Sequence, residues 1–289
     1  MIPVLFKIGP FSVYSYGLML GIAFITANYI FSKELERRKI NPNIATEITF
    51  LAIIFGIIGA KGLHLIENWN TFILNPIGEA FSPGGLTFYG GLILAAFAIF
   101  IYVRKKKIPF LAIADMVAPS LALAYGIGRI GCHLAGDGDY GIPTSLPWGV
   151  NYEHGTVPPS FAFRGSEIAA QFPNGIVPDN TPLHPTPIYE FLSMAIIAFI
   201  LWRLLKKDWP NGKIFSLYLI LTAFSRLMVE FIRLNPRLLF GLSEAQLISV
   251  GLMILGTAGF IYFQMNPQLP RFNFPKHETP QEKKKSLAK

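Results

Sequence analysis

The chain has 289 residues, 52% hydrophobic and 15% charged, with a formal net charge of +8. Soluble domains carry about 25% charged residues, so the composition excludes an ordinary soluble fold. The lysines and arginines fall in short clusters between apolar stretches, which reads as cytoplasmic membrane loops rather than nucleic-acid binding.

The opening residues, MIPVLFKIGPFSVYS, have no basic cluster before the apolar run and no small-residue cleavage pattern after it. That predicts a retained first helix rather than a removed signal peptide. A bilayer core needs about 20 apolar residues per helix. Stretches near that length lie at 12–32, 45–66, 87–103, 110–134, 186–205, 213–232 and 244–264. The prediction is an all-α polytopic membrane protein of about seven transmembrane helices with a small extracytoplasmic cap. Residues 1–134 hold helices one to four, 135–184 the cap, 185–265 helices five to seven, and 266–289 a disordered basic tail.

Basic clusters follow the first, third, fifth and seventh stretches: Lys33 with Arg37, Arg38 and Lys39; Arg104 to Lys107; Arg203 with Lys206 and Lys207; and a tail ending in Lys283, Lys284, Lys285 and Lys289. Residues 67–86 have no basic residue, and 135–184 have only Arg164. The bias predicts the N-terminus outside and the C-terminus in the cytoplasm. The outer segment 135–184 contains seven prolines, but Trp148, Tyr152, Phe161 and Phe163 predict an ordered cap. The single cysteine, Cys132, excludes an intramolecular disulfide.

An intramembrane charge costs about 2.5–3.5 kcal/mol on insertion scales, so each one is a candidate functional residue. The fourth stretch ends YGIGRIGCHLAGDGDYG, where Arg129, Cys132 and His133 fall at i, i+3 and i+4 on one face. Gly131 and its neighbouring glycines allow close approach to the backbone, and Asp137 and Asp139 follow. The bland alternative is an arginine that snorkels to the headgroups beside glycines that pack helices. The sixth stretch ends SRLMVEFIRLNPR, with Arg226, Glu230 and Arg233 on one face. An Arg–Glu pair explains two of these charges and leaves one positive charge without a partner, which a phosphate would compensate. His184, Tyr189 and Glu190 meet at the start of the fifth stretch, LHPTPIYEF, where a capped helix start is the plainer reading. Tyr89 precedes Gly90 and Gly91 in the third stretch, as an aromatic-belt residue and a packing face would. Tyr16 lies near the first helix, and Lys61 interrupts the second, where a lone lysine can simply snorkel. All these places map to the outer half of the membrane. Together they predict a positive cavity suited to an anionic phospholipid headgroup.

These motifs, YSYGLM, FYGG, GRIGCHLAGDGDYG, HPTPIYE and SRLMVEFIR, resemble those of the prolipoprotein diacylglyceryl transferase family over nearly the whole membrane region. The resemblance implies a seven-helix bacterial inner-membrane enzyme. It would move the diacylglyceryl group of phosphatidylglycerol to the lipobox cysteine thiol of a preprolipoprotein and release glycerol-1-phosphate. It implies catalytic roles for Arg129, Arg226 and Glu230, and places Tyr16, His184, Tyr189 and Glu190 in the site. The chain departs from the family pattern at several positions. Tyr89 stands for a histidine, Cys132 for an asparagine, Ala135–Gly136–Asp137 for Asn-Gly-Glu, Lys61 for an arginine and Pro187 for a glutamine.

The reading is therefore a divergent member of that family. Arg129, Arg226, Glu230, His133 and Tyr89 are the expected catalytic residues. Tyr16, Lys61, Gly90, Gly91, Gly131, Asp137, His184, Tyr189, Glu190 and Arg233 are expected to bind substrate. His133 is expected to assist thiol deprotonation while Tyr89 orients the headgroup. The expected partners are phosphatidylglycerol, preprolipoprotein signal peptides and membrane lipids, with no nucleic acid, cofactor or metal. The alternatives are a lipid-binding protein or transporter without chemistry, and a paralogous transferase with another acceptor. Internal repeat symmetry would favour a transporter, and the sequence shows none.

Overall fold

A computed structural model describes residues 1–9, 11–82 and 84–266. The expected tail lies outside the described residues apart from Asn266. The protein is mostly helical. Its long helices are α1 (Ser15–Arg37), α2 (Asn43–Glu67), α5 (Phe88–Lys105), α6 (Phe110–Ala135), α8 (Thr186–Leu204), α9 (Lys213–Glu230) and α10 (Glu244–Met265). Short helices α3 (Trp69–Leu74) and α4 (Pro76–Phe81) occupy the segment between α2 and α5, and α7 (Pro159–Ala162) lies between α6 and α8. Among the described residues, six helices are long and apolar enough to cross a membrane: α1, α2, α5, α6, α8 and α10. The remaining long helix, α9, carries Lys213, Arg226 and Glu230 within its 18 residues and is not among the six.

The first stretch, expected from residue 12, begins as strand before it becomes helix. The first residues form an antiparallel hairpin of β1 (Val4–Ile8) and β2 (Phe11–Tyr14), and α1 starts only at Ser15. Gly9, with φ +58°, follows β1 in a backbone conformation that suits a turn.

The chain divides into two compact units. The described part of one comprises residues 28–113. In it α2 and α5 pack at glycine level: a Cβ on Gly90 or Gly59 would collide with the other's carbonyl oxygen, and one on Gly91 would meet the Gly56 carbonyl oxygen at 2.7 Å. Such backbone contact is how helices associate where lipid supplies no hydrophobic drive.

The other unit comprises residues 1–27 and 114–266. Its core joins three helices through Ala118 and Ala122 of α6, Met194, Ile197, Ala198 and Leu201 of α8, and Ile214 of α9. Asp115 on α6 fixes the start of α9: its carboxylate accepts the backbone N–H groups of Gly212 and Phe215, both at 2.7 Å. This is N-terminal capping supplied by a neighbouring helix. Large apolar side chains such as Ile25, Ile196, Phe199 and Ile254 face outward, whereas Glu190, Glu230 and Arg233 are buried. That inversion suits a lipid-facing exterior, provided that the buried charges are paired.

Between α6 and α8 the cap has its own core of Tyr140, Tyr152, Phe163, Ala169, Val177 and Leu183. Of the aromatics that predicted order there, Tyr152 and Phe163 are buried while Trp148 and Phe161 remain exposed.

Candidate active site

The end of α6 sets the site. Gly136 and Gly138 follow it with φ of +60° and +93°, conformations that a side chain strains. Gly136 also lies against Gly155, whose Cα a Cβ would meet at 2.6 Å. These two turns point Asp137 and Asp139 back toward the helix they follow. The chain then runs between two other segments. Gly141 N–H donates to the His184 carbonyl at 2.9 Å, and Ile142 N–H to the Ile232 carbonyl at 2.9 Å. The first residues after α6 are thereby held beside the start of α8 and the end of α9.

That placement brings three arginines and three carboxylates together. Glu190, which is buried, is the hub. Its Oε1 accepts from Arg226 Nη1 at 3.1 Å, and its Oε2 lies 3.3 Å from Arg129 Nε and 3.5 Å from Arg233 Nη1. Asp139 pairs with both Arg129 and Arg233. Glu230, fully buried, pairs through Oε2 with Arg226 Nη2 at 3.0 Å. Its Oε1 accepts from Asn235 Nδ2 at 2.5 Å and from Ser243 Oγ at 2.8 Å. Tyr125 completes the network: its hydroxyl donates to Glu190 Oε1 at 2.6 Å and accepts from Arg129 Nη2 at 2.8 Å, and its ring lies 4.9 Å from the guanidinium carbon.

This geometry overturns one step of the sequence argument. The Arg226–Glu230–Arg233 run does not leave a positive charge without a partner, because Asp139 reaches Arg233 across the fold. The arginines differ in access instead: the side chains of Arg129 and Arg226 are 17% and 23% exposed, that of Arg233 only 7%. Arg129 and Arg226 are therefore the more accessible of the three, although their guanidiniums are already engaged, Arg129 with Tyr125 and Asp139 and Arg226 with Glu190 and Glu230. Burial alone would raise the pKa of Asp139, but the guanidiniums of Arg233 and Arg129 outweigh it and hold the carboxyl below its usual value. Asp137 shifts the other way, raised by burial and by the neighbouring Asp139.

The other expected residues fall into separate settings. Gly131 packs against α1, where a Cβ would meet Met19 Cβ at 3.1 Å and Tyr16 Cα at 3.3 Å, so Tyr16 stands beside the α6 face. His133 shares a hydrogen bond between Nδ1 and the Tyr152 hydroxyl at 2.9 Å, which ties it to the cap core. His184 Nδ1 lies 3.2 Å from the Tyr189 hydroxyl. Burial lowers the pKa of His184. Tyr89, Lys61, Gly90 and Gly91 belong to the 28–113 unit. There Lys61 Nζ donates to Ser82 Oγ, the Ser82 carbonyl and the Gly84 carbonyl, at 2.8, 3.2 and 2.8 Å. Three acceptors occupy the three donors of an ammonium, so Lys61 clamps the chain ahead of α5. Gly90 and Gly91 are packing positions of α5 on α2. Tyr89 stands in the first turn of α5 with its ring 5.7 Å from that of Phe88.

Two members of the network, Tyr125 and Asp139, were not among the expected site residues. Tyr125 is four residues before Arg129 on α6, a spacing that would have revealed it as a neighbour. Cys132 Sγ and the carboxylates of Asp137 and Asp139 lie within 4.8 Å of one another. They could hold a cation only by taking Asp139 from its arginines.

The family model of prolipoprotein diacylglyceryl transferase matches residues 3–262. A phosphatidylglycerol–prolipoprotein diacylglyceryl transferase of Clostridium tetani is 36% identical over 257 residues, covering 89% of this chain and 95% of the relative. One of Clostridium perfringens, number 2 of its kind, is 35% identical over 91% of this chain and 94% of the relative. One of Proteus mirabilis is 29% identical over 93% and 95%.

Proposed function

The chain belongs to the prolipoprotein diacylglyceryl transferase family, and on that premise we propose how its residues carry out the transfer. The protein is a phosphatidylglycerol–prolipoprotein diacylglyceryl transferase, a bacterial multi-pass membrane enzyme. A preprolipoprotein cysteine sulfur attacks the glyceryl carbon of phosphatidylglycerol. The carbon–sulfur bond forms as the carbon–oxygen bond to phosphate breaks, and the electron pair leaves with glycerol-1-phosphate. The thiol proton passes to a base, because the thiolate is the nucleophile.

The observation that carries this reading is the pair of partly exposed arginines, Arg129 and Arg226, both held by the buried Glu190. Arginine's planar fork matches phosphate oxygens, and groups already oriented stabilise the growing leaving-group charge without reorganising. Glu190, Glu230 and Asp139 hold those two arginines, Arg233 pairs with Glu190 and Asp139, and none of these four meets the phosphate. Tyr16 borders the headgroup site. His133 is the base, its ring held at Nδ1 by the hydrogen bond that it shares with the Tyr152 hydroxyl. The enzyme lies in the inner membrane with the cap and N-terminus outside and Arg104–Lys107 in the cytoplasm, as the basic clusters favour.

The test is to incubate the purified protein with phosphatidylglycerol and a lipobox peptide and to follow diacylglyceryl-peptide by mass spectrometry. Thioether product that disappears when the peptide cysteine is replaced by serine supports the reading. Phosphatidylglycerol binding without product would leave a lipid-binding protein. His133→Gln should remove the ionisation of a base from the acid limb of the pH–rate profile. An unchanged profile removes His133 from the mechanism.

A further inference from the structure

The exposed indole of Trp148 in the cap donates Nε1–H to the Tyr189 hydroxyl oxygen at 2.8 Å, and that hydroxyl lies 3.2 Å from His184 Nδ1. We propose that Trp148 is a positioning residue which fixes the tautomer of His184 through Tyr189, so that His184 presents Nε2–H as a hydrogen-bond donor to the phosphate or glyceryl oxygens of the lipid headgroup. The inference rests on the transferase reading above for the identity of the acceptor, but the hydrogen-bond order itself does not.

The order follows from donor and acceptor counting. An indole N–H can only donate, so it takes an acceptor position on the Tyr189 oxygen. The phenol has one proton to give, and among the described residues His184 Nδ1 is the acceptor within reach. Nδ1 is then an acceptor, and a neutral imidazole carries its proton on the other nitrogen. Burial lowers the His184 pKa and so favours this neutral form. The chain polarises along its length, since a phenol that accepts a hydrogen bond is a better donor. Without Trp148, the Tyr189 oxygen becomes free to accept from His184 Nδ1–H. The tautomer reverses, and Nε2 changes from donor to acceptor. His184 and His133 make the same kind of tyrosine contact, and the tyrosine of His184 also takes an indole N–H that decides the direction. Tyr189 is one residue before Glu190, the hub of the arginine network, so the relay is built on the same turn of α8.

The test uses Trp148→Phe in the full-length protein in phosphatidylglycerol liposomes. Because Trp148 is exposed, the variant should melt as the wild type does. Solid-state 15N spectra of histidine-labelled protein, with the His184 signals identified by difference from His184→Gln, should show an unprotonated Nδ1 in the wild type and a tautomer mixture in Trp148→Phe. The turnover number in the peptide assay should fall about tenfold, as for loss of one well-formed hydrogen bond, with KM for the peptide unchanged. Phe161→Leu, at an equally exposed cap aromatic with nothing to donate, should match the wild type in both measurements. A wild-type His184 with protonated Nδ1, or identical spectra for wild type and Trp148→Phe, overturns the proposal. So does a Trp148→Phe turnover within twofold of an active wild type. A wild type that transfers nothing overturns the transferase reading instead, and the nitrogen spectra still decide the relay.

Discussion

Glu34 and Glu190 each gather more than one arginine, and they do so in different ways. Glu34, near the end of α1, pairs with Arg37 at i+3 and Arg38 at i+4, at 2.7 and 2.6 Å, and the arginine side chains are 45% and 29% exposed. Glu190 gathers Arg129 from α6, Arg226 from α9 and Arg233 from the segment after α9. The first cluster is closed by the helical repeat at one helix end, and water reaches its two arginines although Glu34 itself is buried. The second needs the fold of the whole unit, and no water stands ready to replace its hub. A charge cluster made by local spacing is therefore a helix-end device, whereas one assembled from distant segments at a buried carboxylate is where a site is to be sought.

The comparison breaks most readily at the hub. Glu190→Gln should destabilise the detergent-solubilised protein by about 3–5 kcal/mol, because it leaves buried guanidiniums uncompensated. Thermal melting checks this, and a melting temperature equal to wild type would show that the arginines find water instead. Next come Arg129→Lys and Arg226→Lys. Each keeps the charge and loses the planar fork, so turnover in the peptide assay should fall about 100- to 1,000-fold with little change in stability. Near-normal turnover in both would remove the phosphate clamp.

Asp139 sharpens the contrast through pH. Its folded pKa is depressed by Arg233 and Arg129 despite burial, so its stabilising contribution is complete above its unfolded pKa near ~4 and is lost as pH falls through the lower folded value. Asp139→Asn should cost about 2 kcal/mol at neutral pH and flatten the acid limb of a melting-temperature profile. An acid limb identical to that of wild type would show that other carboxylates carry it. The smallest effect belongs to the local cluster. Glu34→Gln should cost no more than about 1 kcal/mol and leave transfer unchanged, since its arginines turn to water. A loss comparable to that of Glu190→Gln would erase the distinction.

The sequence by itself determined the helices and the arginines. Apolar runs of bilayer length end within a few residues of the observed helices: 45–66 against Asn43–Glu67, 110–134 against Phe110–Ala135, 244–264 against Glu244–Met265. Arg129, Arg226, Glu230 and Arg233 are legible because charge in an apolar helix is costly wherever the helix packs, and the Arg226–Glu230 pair because four residues make one helical turn. Only the tertiary structure decided what those arginines meet. Asp139 lies 94 residues from Arg233 in the chain, and their pairing depends on two glycine turns and on backbone bonds to the starts and ends of other helices. The same holds for Glu190, which reads in the sequence as a residue favoured near a helix N-terminus and becomes the hub only when α6, α8 and α9 converge. It holds in reverse for Lys61, Gly90 and Gly91, whose residue types suit a ligand as well as they suit the carbonyls and glycines of α2 and its neighbours. Helical periodicity fixes which side chains share a face, while the partner of that face is set by contacts between segments far apart in the chain, which no local spacing encodes.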